Sequence, residues 1–186
     1  MFLYNGSRRG TGAPRARPRR SLGSNGIREK IMTSKIESRL KELNLSLPTP
    51  PAPVASYVPF VVTGNLVFIS GQVTLTESGL KYVGTVGKEL TLEDGQAAAR
   101  LCAINVVAQV KAACGGDLDR VRRCVKLTVF VNAMPGFAQH PEVANGASDL
   151  VVEIFGEAGK HSRAAVGAGS LPRNVATEVE AVFEIA

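Results

Sequence analysis

Residues 162–183, SRAAVGAGSLPRNVATEVEAVF, hold the pattern that decides the fold. Two short apolar runs flank Pro172-Arg173-Asn174, the signature of strand, turn, strand. Alternation from Thr177 onward sends Glu178, Glu180, Val182 and Glu184 to one face of the second strand. Three carboxylates on one face fit either a solvated surface or a polar pocket. Arg163 opens the first run and Glu178 stands near the start of the second. Spacing alone leaves Arg163 open between a surface arginine at a strand end and a functional cation. A tight hairpin would not set Glu178 opposite it.

Upstream, residues 141–156 predict a helix with Val143, Ala147, Leu150, Val151 and Ile154 inward. Residues 121–132 predict a long strand with Val125, Leu127, Val129 and Val131 on one face. Strand, helix, strand over 121–169 implies a right-handed crossover and parallel pairing. Residues 91–113 predict the main helix, opened by Thr91 and Asp94 as a capping box and ended by Gly115-Gly116. Its inward face is expected at Ala97, Leu101, Ile104, Ala108 and Lys111. Residues 58–63 and 66–70 predict a hairpin turning on Gly64-Asn65, followed by a loop punctuated by Gly71, Gly79 and Gly84. The order β-β-α-β-α-β-β is that of an α+β domain, a mixed sheet with two helices packed on one face. The sheet's other face then needs a cover, for which oligomerisation is the natural answer.

Three segments are distinguished by composition. Residues 1–31 hold eight of the 22 basic residues and one of the 16 acidic ones, a balance of +7. Residues 32–186 therefore carry −1, so the domain has no bias toward nucleic acid. The Arg-, Gly-, Pro- and Ser-rich tail is expected to be disordered, and Met32 is the expected natural start. Residues 32–54 carry a short helix over 34–43, with Ser34 and Glu37 as a capping box, and then a proline connector through Pro48, Pro50, Pro51 and Pro53. Residues 55–186 form the main domain. No apolar run reaches eighteen residues, so a membrane span is not expected, nor is a secretory leader. Cys102, Cys114 and Cys124 lack metal-ligand spacing, and His140 and His161 are the chain's only histidines, so no metal or organic cofactor is implied. There is no Gly-x-Ser-x-Gly and no P-loop, and Gly167-Ala168-Gly169 lacks the helix that phosphate binding would need.

Arg163-x-x-Val166, Leu171-Pro172 and Val175-x-x-Glu178-Val179-Glu180-Ala181 resemble the C-terminal signature of the YjgF, or Rid, family of enamine/imine deaminases. Tyr57 followed by TGNLVFISGQ (63–72) resembles the family's N-terminal hairpin, and Asn145 falls on a third block. The blocks lie in family order from about Ala55 to Ala186. The resemblance implies a chorismate-mutase-like fold, assembled as a homotrimer whose sheets line a central barrel, with pockets between subunits. It also implies hydrolysis of imines or enamines derived from amino acids, in the cytoplasm. By motif position Arg163 binds the substrate carboxylate and Glu178 orders water as the second catalytic residue. Tyr57, Ser70, Gly71 and Asn145 bind substrate. The chain departs from the family at Ala165, where the best-known deaminases have cysteine, at Ala55-Ser56 in place of Gly-Pro, and in its N-terminal helix and linker. A non-catalytic module for a small carboxylate, and an RNA-binding protein or endoribonuclease, are the alternatives.

Overall fold

In the computed structural model of the chain, residues 34–50 and 56–186 are described. The basic tail, and Pro51, Pro53 and Ala55 of the connector, lie outside them. Among the described residues three α-helices, α1 (Lys35–Glu42), α2 (Leu92–Ala113) and α3 (His140–Phe155), accompany seven strands. These are β1 (Phe60–Thr63), β2 (Leu66–Val73), β3 (Leu75–Thr76), β4 (Gly79–Leu80), β5 (Val121–Asn132), β6 (Ser162–Ala168) and β7 (Thr177–Ile185). The main sheet has the order β1-β2-β7-β5-β6, while β3 and β4 form a small separate hairpin in the segment expected to be loop. β6 runs parallel to β5, as the strand–helix–strand unit requires, and the other pairs in the main sheet are antiparallel.

Local chemistry accounts for the boundaries. Gly64 adopts φ 57° in the two-residue turn that joins Thr63 to Leu66. The Thr91 hydroxyl accepts from the Asp94 amide at 3.1 Å, and the Asp94 carboxylate accepts from the Thr91 amide at 3.0 Å. For α1 the capping box is only half made. Ser34 accepts from the Glu37 amide, but the Glu37 carboxylate turns away from the helix start to Lys111 of α2 at 2.7 Å. Asp119 supplies what is missing at the helix start, accepting from the Lys35 and Ile36 amides at 2.8 and 2.9 Å. Ile36 and Leu40 are buried, so this short helix is docked on the domain.

Two inward faces differ from the periodicity. On α2 the buried residues include Gly95, Ala98, Ala99, Cys102, Ala103, Val106, Val107, Ala108 and Val110; Ala108 is buried as expected, while the expected Ala97, Leu101, Ile104 and Lys111 are only half-buried. The helix is covered by β2 and β7 on one side and by α3 on another. Close approach selects small residues for the centre and leaves Leu101 and Ile104 half-buried at the flanks. On β5 a bulge between Cys124 and Lys126 hands the core position from Val125 to Cys124, 1% exposed. Leu127, Val129 and Val131 face inward as expected, as do Val143, Ala147, Leu150, Val151 and Ile154 of α3.

The α2–α3 approach is closest at Gly146, where an added Cβ would lie 2.0 Å from the Gln96 carbonyl oxygen. Backbone cannot yield as a side chain does, so Gly146→Ala is expected to destabilise the domain by about 1–3 kcal/mol. A lowered urea midpoint with an unchanged slope would show it, whereas an unaltered midpoint would contradict so tight a contact.

Candidate functional site

The edge strand β6 places Arg163 beside Leu127, on the helix-covered face of the sheet. There Arg163 donates through Nη1 to Asn145 Oδ1 at 2.9 Å and to Ser148 Oγ at 3.1 Å, both on α3. His161 Nδ1 lies 2.6 Å from the Gly159 carbonyl and must donate to it, since a carbonyl only accepts. In the neutral ring Nε2 then accepts from the Ser148 hydroxyl at 3.0 Å. A directional chain Arg163–Ser148–His161 thus fixes one edge of the guanidinium with neutral partners. Among the described residues no carboxylate pairs with Arg163, so its charge and its remaining N–H groups are available to an anion.

Glu178 lies elsewhere. Its neighbours Thr177 and Val179 are fully buried in the core, so Glu178 faces the opposite side of the sheet. Arg163 pairs with Leu127, and Leu127 with Ala181, three residues beyond Glu178. Two strands across and three residues along put the two Cα atoms roughly 14 Å apart, on opposite faces. One chain therefore does not bring them together.

Gly71 is what Glu178 meets instead. A Cβ at Gly71 would sit 1.9 Å from Glu178 Oε1, so any side chain there would push this carboxylate out of its present position. Burial, with a smaller contribution from Glu180, holds the Glu178 carboxyl above its ordinary value. Ser70 donates its hydroxyl to the Val58 carbonyl at 2.8 Å, tying down the residue after Tyr57. Tyr57 is 58% exposed and lines, with Gly71, a cavity of about 390 Å³. The expected residues thus fall into two groups, Arg163 with Asn145, and Tyr57, Ser70 and Gly71 with Glu178.

The cavity runs between the Pro48–Pro50 segment, the end of β2 and the α2 residues Asn105 and Gln109. Arg173 also lines it, held at φ 56° beside Asn174 at φ 58°. That left-handed turn is pinned from below by buried Asn132, which donates to Asn174 Oδ1 at 3.1 Å and to the Val175 carbonyl at 3.3 Å. Sequence reasoning missed Asn105, Gln109, Ser148 and Arg173. Ser148 stands three residues after Asn145 and shares its helix face, and Asn105 and Gln109 are four apart in an apolar helix, so spacing could have found them. Cys102 and Cys124 are buried, which pushes each thiol up to about 12, and both are inert fillers of the core.

Similarity to known proteins follows the same lines. The family model "YjgF/chorismate mutase-like, putative endoribonuclease" matches residues 37–185, which takes in most of α1 and the connector that looked extraneous. Protein TCP17 of Trypanosoma cruzi is 46% identical over 156 residues, covering 83% of this chain and 97% of that one. The solved protein Atu1372 of Agrobacterium tumefaciens, described as of unknown function, is 46% identical with a TM-score of 0.76, covering 81% of this chain and 94% of its own. The 2-iminobutanoate/2-iminopropanoate deaminase of Dermatophagoides farinae is 28% identical over 142 residues, 76% of this chain and 94% of that protein. Among the described residues no helix is long and apolar enough to cross a membrane.

The Glu178 shift sets a pH dependence. A carboxyl with a raised folded pKa favours folding when protonated, and that contribution is lost as pH rises from below its ordinary value through the folded one. Glu178→Gln is therefore expected to raise Tm at pH 7 and to leave it unchanged near pH 3. Equal destabilisation at both pH values would contradict the burial cost.

Proposed function

The chain belongs to the YjgF/chorismate-mutase-like family, and from that premise we propose that it hydrolyses reactive enamine and imine intermediates derived from amino acids, releasing 2-oxo acids and ammonia. Arg163 carries this reading. It is a guanidinium without a carboxylate partner among the described residues, held on one edge by Asn145 and Ser148. A planar fork so held can grip a substrate carboxylate through two parallel N–H donors. Once the substrate is anchored, water adds to the C=N carbon, the nitrogen takes a proton, and the C–N bond breaks to leave the 2-oxo acid and ammonia. Glu178, its carboxyl held above the ordinary range, is suited to orient that water and to relay its proton.

Because Arg163 and Glu178 occupy opposite faces of one sheet, the proposed site is completed between copies in a homotrimer. The open face supports this. Val61, Phe68 and Val166 are 52, 45 and 44% exposed, a surface that association would cover. The buried Thr128 hydroxyl on the same face also lacks a partner among the described residues. The family description names an endoribonuclease as well, but residues 32–186 balance to −1 and so carry no net positive charge for phosphates.

Imines freshly generated by an amino-acid oxidase test the reading. The protein is expected to accelerate release of ammonia and 2-oxo acid, and Arg163→Ala to lower kcat/KM by about a hundredfold or more while the oligomer stays intact. Ser148→Ala, which frees one restraint on the guanidinium, is expected to raise KM by about threefold to tenfold with kcat nearly unchanged. Unchanged turnover in Arg163→Ala would overturn the assignment. Carboxylate binding without turnover would favour a binding module, and cleavage of RNA by a chain starting at Met32 an endoribonuclease.

A further inference from the structure

The cavity that opens beside Gly71 and Tyr57 holds a polar group that the proposed reaction does not use. Gln109, on α2, is 3% exposed, lines the cavity, and has no hydrogen-bond partner for Oε1 among the described residues. A buried amide left in that state is unfavourable, and native interiors seldom leave one so. Asn105, one helical turn earlier, is not in the same position. Its Nδ2 donates to the Val73 and Leu75 carbonyls at 2.9 and 3.0 Å, which makes it part of the wall. Glu77 and Arg173 both line the cavity, so the ionised groups around it cancel in sign. The volume of about 390 Å³ is toward the small end of ligand sites, which run roughly from 300 to 1,000 Å³.

We propose that this cavity is a substrate side-chain subsite, and that Gln109 selects a neutral side chain ending in a carboxamide. The proposal rests on the imine-hydrolase reading for the carboxylate end of the ligand and adds the class of side chain. A carboxamide donates to Gln109 Oε1 and accepts from Nε2, so the match holds in either orientation of the Gln109 amide. An aliphatic side chain fills the space but leaves the buried oxygen unmet. With one acid and one base at its wall, Glu77 and Arg173, the cavity has no net charge to favour an ionised side chain. Val73 and Leu75 line the cavity with Tyr57 and Gly71 and supply apolar contact for the stem of the ligand.

Two unreactive carboxylates test the subsite in the full-length protein. 4-Carbamoylbutanoate has the glutamine skeleton without its amine, and 4-methylpentanoate has that of leucine. Calorimetric titration is expected to give at least tenfold tighter binding of the carboxamide, and Gln109→Leu to abolish or reverse that ratio. Should the leucine variant fail to fold, Gln109→Met makes the same change with a flexible chain. Equal or tighter binding of 4-methylpentanoate by the wild type would overturn the subsite, as would absence of saturable carboxamide binding or a ratio unchanged in the variants. None of these outcomes depends on turnover. Failure to hydrolyse any imine would remove the deaminase reading while the affinity ratio still decided the side-chain preference.

Discussion

β7 is hydrogen-bonded along both edges, to β2 on one side and to β5 on the other. Val179, Ala181 and Phe183 enter the core beneath the helices, while Glu178, Glu180, Val182 and Glu184 take the other face. The period of two makes the arrangement all or nothing, because a slip of one residue would bury the carboxylates and expose the core. Everything else in the site is referred to this strand. Its register with β5 sets the level of Arg163 on β6, its register with β2 brings Gly71 against Glu178, and the turn entering it carries Arg173 to the cavity.

Much of this was legible in the sequence. Some boundaries are carried by local chemistry, such as the Thr91–Asp94 box and the Gly64 turn, and those needed no tertiary information. The α+β class followed from their order. Position on a face was less secure. On α2 Ala108 is buried as expected, but tight contact on two sides favours Gly95, Ala98 and Ala99 over the larger Leu101 and Ile104 that draw the eye. Val125 lost its place to Cys124 through a bulge, which leaves no periodic mark. Within the site, motif position identified residues that do gather, Arg163 with Asn145 and Gly71 with Glu178. It could not say that β5 would come between β6 and β7. Pairing between distant segments is a property of the whole sheet and has no local signature.

The separation of Arg163 from Glu178 organises the functional account. The cation proposed for the substrate carboxylate and the carboxylate proposed for the water each have their own supporting neighbours, yet they lie on opposite faces. A structure with two prepared half-sites and an uncovered apolar face is consistent with chemistry that arises only on assembly. Gly71 belongs to this preparation, since a Cβ there would displace the Glu178 carboxylate from where it lies.

Subunit mixing tests this most directly. Arg163→Ala and Glu178→Gln proteins, each inactive alone, would be unfolded together in equal amounts and reassembled, and imine hydrolysis measured. Random reassembly into rings pairs an intact Arg163 with an intact Glu178 of a neighbour at roughly a quarter of the sites. Recovery of about that share of wild-type activity is the predicted result. A mixture no more active than its parents would contradict a site shared between copies.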